Sequence, residues 1–511
     1  MNNNLIYDVE SKPKFSKLIV FAFQQVLAIM AATIAVPTII GLPTQIPAAI
    51  LGAGLGTIVY LLFTRFKSPV FLGSSFAFLG ALGNALLFGY CGIIIGGILA
   101  GLVYVIIALI IKFAGTKWVS KLMPPVIIGP TVAIIGLSLA GSAMGDIVKA
   151  SGSGMSYNLV ALLCGVVTFI TVVLCSCQNR FRSMKLIPFI IGIGAGYALA
   201  SIFSIFGYAC NVDYLKIVNW KPLVENFVVN GQFTGVTAFL NYPDFALIEA
   251  IKELVTGNVS AAVSTATKGA AQVINGAGVA SVALAFIPVA LVVFAEHIAD
   301  HKNLGTIIGR DLVEGEPGLS RTLLGDGVGS MVGTIFGICP NTTYGESVGC
   351  VAITKNASIR TIFTTAIMCI VLSFLSPIMS LLQTIPNCVM GGVCLTLYGF
   401  IAVSGLKMFK DIDLGDNKNL YVVSVILIAG IGGLSIKIPY AINGKGEVAK
   451  YIEITSIATA LILGIATYAI INKLEKGKKT ESVVTEAVPE ENPVENEIKD
   501  EPVVEETKDK E

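Results

Sequence analysis

Long apolar stretches recur along the chain and are separated by short polar connections. Eleven of these stretches are long enough, at about 17–25 residues each, to cross a bilayer as a helix. They fall near residues 15–40, 45–64, 91–113, 122–144, 157–178, 186–206, 280–299, 358–384, 386–406, 418–436 and 449–472. Three weaker or glycine-broken stretches at 69–89, 319–337 and 340–354 raise the expected number of membrane segments to fourteen. An even number of crossings puts both termini on one side of the membrane.

The composition strengthens this interpretation. Of the 511 residues, 54% are hydrophobic and only 13% are charged. Such a chain is predicted to be an all-α polytopic membrane protein that forms one membrane domain. The C-terminal end differs, because residues 481–511 hold 12 of the 33 acidic residues. Residues 474–511 are therefore predicted to be a disordered, solvated acidic tail.

Lysine and arginine predict the orientation of the chain in the membrane. With both termini in the cytoplasm, six basic clusters fall in or beside cytoplasmic connections, in agreement with the positive-inside rule. These clusters are Arg65/Lys67, Lys112/Lys117/Lys121, Arg180/Arg182/Lys185, Lys302/Arg310/Arg321, Lys355/Arg360 and Lys407/Lys410. The connection at 437–450, with three lysines, runs against the rule. We expect a multi-pass protein of the cell membrane with both termini cytoplasmic.

The two halves of the chain resemble each other at two places. Residues 74–77 (Ser-Ser-Phe-Ala) recur in kind as residues 342–345 (Thr-Thr-Tyr-Gly), and the proline and glycine that bound 124–129 recur at 386–391. Internal repeats of this kind are common in secondary transporters. Seven segments in each repeat, an odd number, would make the two repeats inverted relative to each other.

Two of the weaker segments are poor material for a continuous helix. The sequences 69–83 and 337–349 combine glycine and proline with consecutive hydroxyl residues. Irregular backbone at membrane depth is tolerated only where it is buried in protein or lines a cavity. Such breaks in corresponding halves of a chain point to a binding site near the middle of the membrane.

Glu296 and Glu346 are carboxylates in apolar surroundings, and Glu346 lies within the second break. Because a charge at bilayer depth is costly, such residues usually face a cavity and serve a substrate or proton path. The start of a broken helix offers unpaired N–H donors, and the carboxylates offer acceptors. This combination suits a planar ligand with both N–H and C=O groups, such as the nucleobase uracil. Phe76, Tyr344 and Tyr398 are candidates to contact the ring, against an alternative of interface packing.

Asp300 follows Glu296 by four residues and therefore lies on the same helical face. Two carboxylates so close together disfavour a double negative charge, which suits one of them to take up a proton. We predict Glu296, Asp300 and Glu346 as proton-coupling residues, with H⁺ as the coupling ion and Na⁺ as an open alternative. The competing interpretation is a structural pairing with Lys302, Arg310 or a hydroxyl group.

Motifs of other functional classes are missing from the sequence. The two histidines, His297 and His301, are not expected to bind a metal, and we predict no cofactor and no nucleic-acid partner. The glycine patterns at 52–56 and 192–196 lie in apolar spans, where they favour close helix packing over nucleotide binding. No Walker A sequence is present, so we predict a transporter that is neither an enzyme nor an ATP-driven pump.

The stretch 207–279 interrupts the compact pattern and is expected outside the cytoplasm. Within it, apolar positions at helical spacing predict a short amphipathic helix. These positions are Leu247, Ile248, Ile251, Leu254 and Val255. Two interpretations of the stretch stay open, a surface feature without a role in transport and a regulatory lid.

Five stretches carry sequence that is diagnostic of one family. They are "YLLFTRFKSPVFLGSSFAF", "ALVVFAEH", "EPGLSRTLLGDG", "PNTTYGESVG" followed by "AITK", and "VMGGVCLTLYG". Over residues 15–472, apart from the long connection, the chain resembles the nucleobase–ascorbate transporter family (nucleobase:cation symporters), and most of all its bacterial uracil permeases. The resemblance implies fourteen segments in two inverted repeats of seven, short strands in segments 3 and 10, and a homodimer.

The resemblance also implies a division into two domains that move against each other. Its expected parts are an N-terminal segment (1–14), a core domain (15–113 and 280–384), a gate domain (114–206 and 385–473), the connection (207–279) and the tail (474–511). By match to the family, the substrate is held by the carboxylates of Glu296 and Glu346 and by the backbone N–H groups of Phe76 and Gly345. Tyr344 and Tyr398 are expected near it.

Three positions depart from the pattern of uracil permeases. Asp300 stands where those proteins usually have histidine, Gln25 stands where span 1 usually has histidine, and Ser347 stands where asparagine is usual. We predict a proton-coupled importer of uracil. A xanthine or uric acid symporter of the same family is the first alternative, and an anion channel or exchanger of related fold is the second.

Overall fold

The structure is a computed structural model that describes residues 5–178, 184–185, 187–229, 231–442 and 448–485. Helices dominate it, and its three sheets have two strands each within these ranges. The elements of the first half are α1 (Phe15–Ile39), α2 (Ile46–Phe63), β1 (Leu72–Ser74), α3 (Leu79–Leu86), α4 (Gly89–Ala114), α5 (Lys117–Leu122), α6 (Pro125–Ser138), α7 (Ala140–Asp146), α8 (Leu159–Cys177) and α9 (Pro188–Ala209).

The long connection and the second half follow in the same chain order. Their elements are α10 (Lys221–Phe227), β2 (Val228–Val229), β3 (Gln232–Phe233), α11 (Ala246–Thr256), α12 (Ala261–Ala266), α13 (Gly276–Ile308), α14 (Leu319–Phe336), β4 (Asn341–Thr343), α15 (Gly345–Thr354), α16 (Ile359–Ser373), α17 (Ser376–Gln383), α18 (Asn387–Lys407), α19 (Asn417–Ile431), β5 (Ile436–Ile442), β6 (Val448–Ile454) and α20 (Ser456–Thr485).

Nine helical segments of the described chain are long and apolar enough to cross a membrane. They are Phe15–Ile39, Pro43–Phe63, Gly89–Ala114, Pro125–Asp146, Leu159–Cys177, Pro188–Ala209, Gly276–Ile308, Asn387–Lys410 and Ser456–Leu474. Shorter apolar helices lie at Phe76–Leu86, Ile359–Ser373 and Asn417–Ile431. The chain is a mostly helical, multi-pass membrane protein, and the number of fourteen segments in inverted repeats stays a prediction.

Glycines set the close spacing between α14 and its neighbours α2 and α4. A Cβ atom built at Gly56 would lie 2.7 Å from the carbonyl oxygen of Gly329, and one at Gly52 would lie 2.5 Å from that of Gly333. Side chains at these positions would separate the helices, whereas glycine lets the backbones touch. The prediction that the pattern at 52–56 serves helix packing is confirmed.

A second group of helices packs around α18, which contacts α6, α7 and α8. Here Gly405 lies against the backbone of Gly129. A Cβ atom built at Gly405 would lie 2.5 Å from the carbonyl oxygen of Gly129. The α14 group lies within the predicted core ranges and the α18 group within the predicted gate ranges. The functional division into core and gate stays a proposal.

Three boundaries differ from the sequence prediction. The stretch 358–384 forms two helices, because proline at Pro377 lacks an N–H group and disfavours helical backbone at the residue before it. The last segment begins at Ser456, since Val448–Ile454 pairs with β5 as a strand. Residues 474–485 continue α20, and the rest of the predicted tail lies outside the described residues.

The chain divides into a compact unit up to Thr467 and a second unit from Tyr468 onward. The described part of the second unit is the continuation of α20. All of the candidate site residues lie in the first unit. The amphipathic helix predicted within 207–279 is confirmed as α11, which begins at Ala246 and ends at Thr256.

Candidate functional site

Two three-residue strands form an antiparallel pair in the interior of the first unit. Strands β1 and β4 are paired in the register Leu72–Thr343, Gly73–Thr342 and Ser74–Asn341, and all six residues are buried. Each strand leads into a helix: a 3-10 turn at Phe76–Phe78 continues into α3, and α15 starts at Gly345. The first N–H groups of a helix lack intrahelical partners and form its positive end. The strand pair therefore gathers two sets of backbone donors, as the two sequence breaks predict.

Hydrogen bonds to α1 and α2 hold the strand pair in place. The Asn341 side chain donates to the Gly52 carbonyl oxygen at 2.8 Å, and the Leu72 N–H donates to the Thr57 hydroxyl at 2.9 Å. The Tyr344 hydroxyl donates to the Ser74 carbonyl oxygen at 3.1 Å and lies 3.2 Å from the Thr33 hydroxyl. These bonds fix both strands to the surrounding helices.

Helix α13 runs past the strand pair and presents two of the predicted carboxylates to it. The Asp300 carboxylate accepts a hydrogen bond from the Thr343 hydroxyl on β4, with an oxygen–oxygen distance of 2.6 Å. Glu296, one helical turn earlier, interacts electrostatically with both Asp300 and Glu346. Glu346 lies in the first turn of α15. The structure thus brings Glu346 of α15 together with Glu296 and Asp300 of α13, which lie more than 40 residues earlier in the sequence.

Exposure marks the open side of this cluster. Gly345 is exposed and Glu346 is half-buried, although Tyr344 and Ser347 beside them are buried. Glu296 is also half-buried, in a stretch of α13 whose neighbouring residues are almost all buried. Both glutamates and the start of α15 therefore retain accessible surface on this side of the cluster.

The three predicted aromatic residues occupy different positions. Phe76 and Tyr398 make an edge-to-face contact with ring centroids 5.3 Å apart, which joins the start of α3 to α18. The hydroxyl of Tyr398 is buried next to the Cys394 side chain, one helical turn earlier on α18. Tyr344 instead covers Gly73 with its ring, so its side chain supports the strand pair. Phe76 and Tyr398 thus contact each other at the start of α3, and a direct ligand contact by any of the three aromatic residues stays a prediction.

A buried histidine–aspartate pair lies behind the carboxylate cluster and was missed by sequence reasoning. His297 Nδ1 is 2.7 Å from the Asp326 carboxylate, and His297 Nε2 is 3.1 Å from the Thr322 hydroxyl. All three side chains are fully buried. Both α14 residues come from the stretch "EPGLSRTLLGDG", where an acid in an apolar helix was the available signal. The pair fixes the rotation of α13 relative to α14.

His301 extends the same support toward α2. Its Nε2 lies 2.7 Å from the Tyr60 hydroxyl, which donates to the Ser68 hydroxyl at 2.7 Å. Its Nδ1 lies 2.8 Å from the carbonyl oxygen of His297, one turn earlier. The two histidines are therefore tied to α14 and α2, on a face of α13 next to the one that carries Glu296 and Asp300.

Gln25 and Ser347, two of the residues that depart from the uracil permease pattern, contact each other. The Gln25 side-chain amide donates to the Ser347 hydroxyl at 2.6 Å, and both residues are buried. The contact joins α1 to α15 directly after Glu346. Two unusual residues thus form one unit next to the candidate site.

Acidic side chains among apolar helices, next to a strand pair inside a multi-pass protein, are features of membrane permeases. The profile of the Permease family (Xan_ur_permease) matches residues 16–438. The chain belongs to this family.

Curated relatives match over nearly the whole chain. It is 35% identical to the uracil permease of Bacillus caldolyticus over 92% of this chain and 95% of that protein. It is 33% identical to the uracil permease of Bacillus subtilis, covering 88% and 92% of the two chains. For the uracil permease of Escherichia coli K12 the identity is 32%, covering 94% and 96%.

Solved structures match at the level of the fold. The murine Slc26a9 anion transporter in the inward-facing state aligns with a TM-score of 0.53 and 11% sequence identity. The alignment covers 91% of this chain and 69% of the murine protein. A second structure, of SLC26A9, aligns with a TM-score of 0.51 and 13% identity, covering 91% and 66%. At such low identity the likeness concerns the fold alone.

Proposed function

We propose that the chain imports a nucleobase, with uracil as the substrate, in symport with protons. One observation carries this proposal: the carboxylates of Glu296 and Glu346 and the first N–H groups of two helices are gathered around one strand pair. In this proposal the two ring N–H groups of uracil donate hydrogen bonds to the carboxylates, and its two carbonyl groups accept hydrogen bonds from the backbone N–H groups of Phe76 and Gly345. The curated uracil permeases that match the chain over most of its length support the same substrate.

The bond between Asp300 and Thr343 supplies a link between proton and substrate. A carboxylate that gains a proton changes from a pure acceptor into a group that can also donate. At Asp300 this change alters the bond to β4, the strand that leads directly into Gly345 and Glu346. Glu296 interacts with both acids, so protonation and substrate binding act on the same side chains. In this mechanism Glu296, Asp300 and Glu346 couple the two events.

Transport proceeds by movement of the core domain (15–113 and 280–384) against the gate domain (114–206 and 385–473). The contact between Phe76 and Tyr398 crosses this proposed boundary beside the site. An edge-to-face ring contact is worth only about 0.5–1.5 kcal/mol, so it can break and reform in each cycle. Alternating access then exposes the site to each side of the membrane in turn. The working unit is taken to be a homodimer.

Uptake into proteoliposomes tests the proposal directly. Purified protein is reconstituted, a pH gradient is imposed, and accumulation of radiolabelled uracil is followed with and without a protonophore. We expect accumulation that depends on the gradient and collapses with the protonophore. Accumulation driven by a Na⁺ gradient alone would show that the coupling ion is Na⁺ and not H⁺. No uptake of any nucleobase under either gradient would overturn the proposal.

A purine substrate is the second candidate, and Asp300 favours it. This position holds histidine in typical uracil permeases and aspartate in many purine-transporting members of the family that the chain resembles. Competition of labelled uracil uptake with unlabelled xanthine and uric acid separates the candidates. Stronger competition by a purine than by uracil itself would assign the site to purines.

The anion alternative rests on the fold likeness to an anion transporter alone. An anion site requires a positive partner, yet no lysine or arginine lies between Pro69 and Phe88 or between Cys339 and Ile353. Acidic residues line the site instead. Failure of chloride, bicarbonate and sulfate to compete with uracil is the expected result.

Two exposed native cysteines allow the proposed orientation to be tested. Cys177 ends α8 and Cys210 follows α9, whereas the other cysteines are buried. With both termini in the cytoplasm, Cys177 faces the cytoplasm and Cys210 faces outward. A membrane-impermeant maleimide applied to intact cells should label the parent and the Cys177→Ser variant but not the Cys210→Ser variant. Labelling that survives in Cys210→Ser and disappears in Cys177→Ser would reverse the orientation.

A further inference from the structure

Helix α11, in the long connection, divides its circumference into three sectors. Ala246, Ala250 and Glu253 form a buried sector. Glu249, Lys252 and Thr256 form a polar sector. Between them lies an apolar sector whose large side chains are between 41% and 81% exposed: Leu247, Ile248, Ile251, Leu254 and Val255. A helix of this kind presents one face to protein, one to water and one to a further apolar partner.

The buried sector holds α11 in a fixed orientation. The two oxygens of the Glu253 carboxylate accept hydrogen bonds from the Tyr90 N–H at 2.8 Å and the Ser260 N–H at 3.0 Å. The Cys91 thiol donates to the Ala250 carbonyl oxygen at 3.3 Å. Any side chain at Gly89 would collide with the Glu253 carboxylate. The apolar sector is therefore held outward by the structure.

Contacts with helix ends set the position of α11 along the membrane normal. Tyr90 and Cys91 belong to the first turn of α4, a helix of membrane length. Phe245, directly before α11, makes an edge-to-face contact with Phe336, the last residue of α14, with centroids 6.0 Å apart. Both helix ends therefore lie at the same level as α11. Leu87 and Phe336 are themselves exposed apolar residues there, so the apolar surface continues onto the membrane helices.

The polar sector and the size of the apolar sector indicate the partner. Lys252 and Glu249 pair at 2.6 Å, which leaves the polar sector without a net charge to attract anionic lipid. Five partly exposed aliphatic side chains offer a few hundred Å², less than the roughly 800 Å² per partner of a stable protein interface. A helix with a polar face, an apolar face and a fixed level at the helix ends matches an interfacial helix.

We propose that α11 is an interfacial membrane helix: its apolar sector contacts the acyl chains of the leaflet on its side of the membrane, and its polar sector lies among neutral headgroups. The connection 207–279 is then anchored to the bilayer as well as to the protein. This proposal does not depend on which substrate is transported.

Tryptophan fluorescence in liposomes tests it. Leu254→Trp places a reporter in the apolar sector, and Lys252→Trp places a matched reporter in the polar sector of the same helix. Each variant keeps Trp118 and Trp220, so the signal of the parent protein is subtracted. Quenching is measured in phosphatidylcholine brominated near the ester end of the acyl chains, and again with acrylamide in water. Size-exclusion profiles confirm that both variants fold.

The proposal predicts that the reporter at 254 is quenched by brominated lipid roughly twofold or more strongly than the one at 252, with the reverse order for acrylamide, because interfacial helices bury only the apolar face. Quenching at 254 by acrylamide but not by lipid would show a water-exposed surface. Protection at 254 from both quenchers would show a protein partner such as a second copy. Either of these two outcomes overturns the proposal.

Discussion

The two strand–helix units at the centre of the protein share a backbone pattern but differ in chemistry. In the first, β1 leads through Phe76, Ala77 and Phe78 into α3, and in the second, β4 leads through Gly345 and Glu346 into α15. Both units offer helix-start N–H groups, yet the second half supplies all the carboxylates of the cluster. Both units therefore supply backbone N–H donors, whereas the carboxylates come from the second half of the chain alone. Under the proposed mechanism, proton uptake can affect substrate binding only through this one cluster of carboxylates.

The largest effect is expected from removing the carboxylates, which only the second half of the chain supplies to the site. Glu296→Gln or Glu346→Gln should abolish gradient-driven uracil uptake, because each removes a charged acceptor worth about 1.5–3 kcal/mol and a proton site. Uptake into proteoliposomes measures the effect. Glu314→Gln, in an exposed loop, makes the same charge change away from the site and should transport normally. If the Glu296→Gln variant still accumulates uracil in response to the pH gradient, Glu296 takes no part in proton coupling.

The next largest effect concerns the support behind the acidic half. Asp326→Ala leaves the Nδ1 of buried His297 without its partner, which should lower the free energy of unfolding by about 3 kcal/mol. Thermal unfolding of the purified protein measures the change. The exposed control Glu314→Ala should unfold at the parental temperature. Equal stability of Asp326→Ala and the parent would show that the pair does not fix α13 against α14.

The first unit should be sensitive to shape. Gly73→Ala would drive a methyl group into the Tyr344 ring, which covers that position, at a cost of about 1–3 kcal/mol. The matched control is Gly349→Ala, because a Cβ there meets no atom within 4 Å. Thermal unfolding should separate the two variants by several degrees. If both variants unfold together, Tyr344 is free to leave the strand pair and is available to a ligand.

The smallest effect is expected at the contact between the first unit and α18. Phe76→Leu keeps the backbone donor and removes the edge-to-face contact with Tyr398, worth about 0.5–1.5 kcal/mol. We expect a change of roughly tenfold or less in the KM for uracil, with coupling to the pH gradient retained. Loss of coupling in this variant would mean that the first unit also takes part in proton transfer.

Much of the site could be predicted from local sequence. Glycine, proline and hydroxyl residues marked both breaks, and Glu296 and Glu346 stood out as charges in apolar surroundings. These signals need no knowledge of tertiary contacts. The spacing of apolar positions likewise predicted α11, since helical periodicity is a local property.

Other features depend on contacts between distant segments. The pairing of His297 with Asp326 and of Gln25 with Ser347 joins residues on different helices, which no local pattern encodes. The β5–β6 hairpin was missed because its apolar residues read as the start of the last membrane segment. Periodicity predicts that an apolar face is buried, but in α11 the apolar sector is exposed and the face that holds Glu253 packs against the protein.

The central claim is that the acidic half of the strand pair binds a nucleobase, and thermal stabilisation by ligands tests it most directly. The purified parent and Glu346→Gln proteins are heated with uracil, thymine, xanthine, uric acid or no ligand. A ligand at 100 times its Kd stabilises the folded state by about 2.7 kcal/mol. The account predicts a clear upward shift of Tm with uracil in the parent and none in Glu346→Gln. An equal shift in both proteins, or none with any nucleobase in the parent, would contradict it.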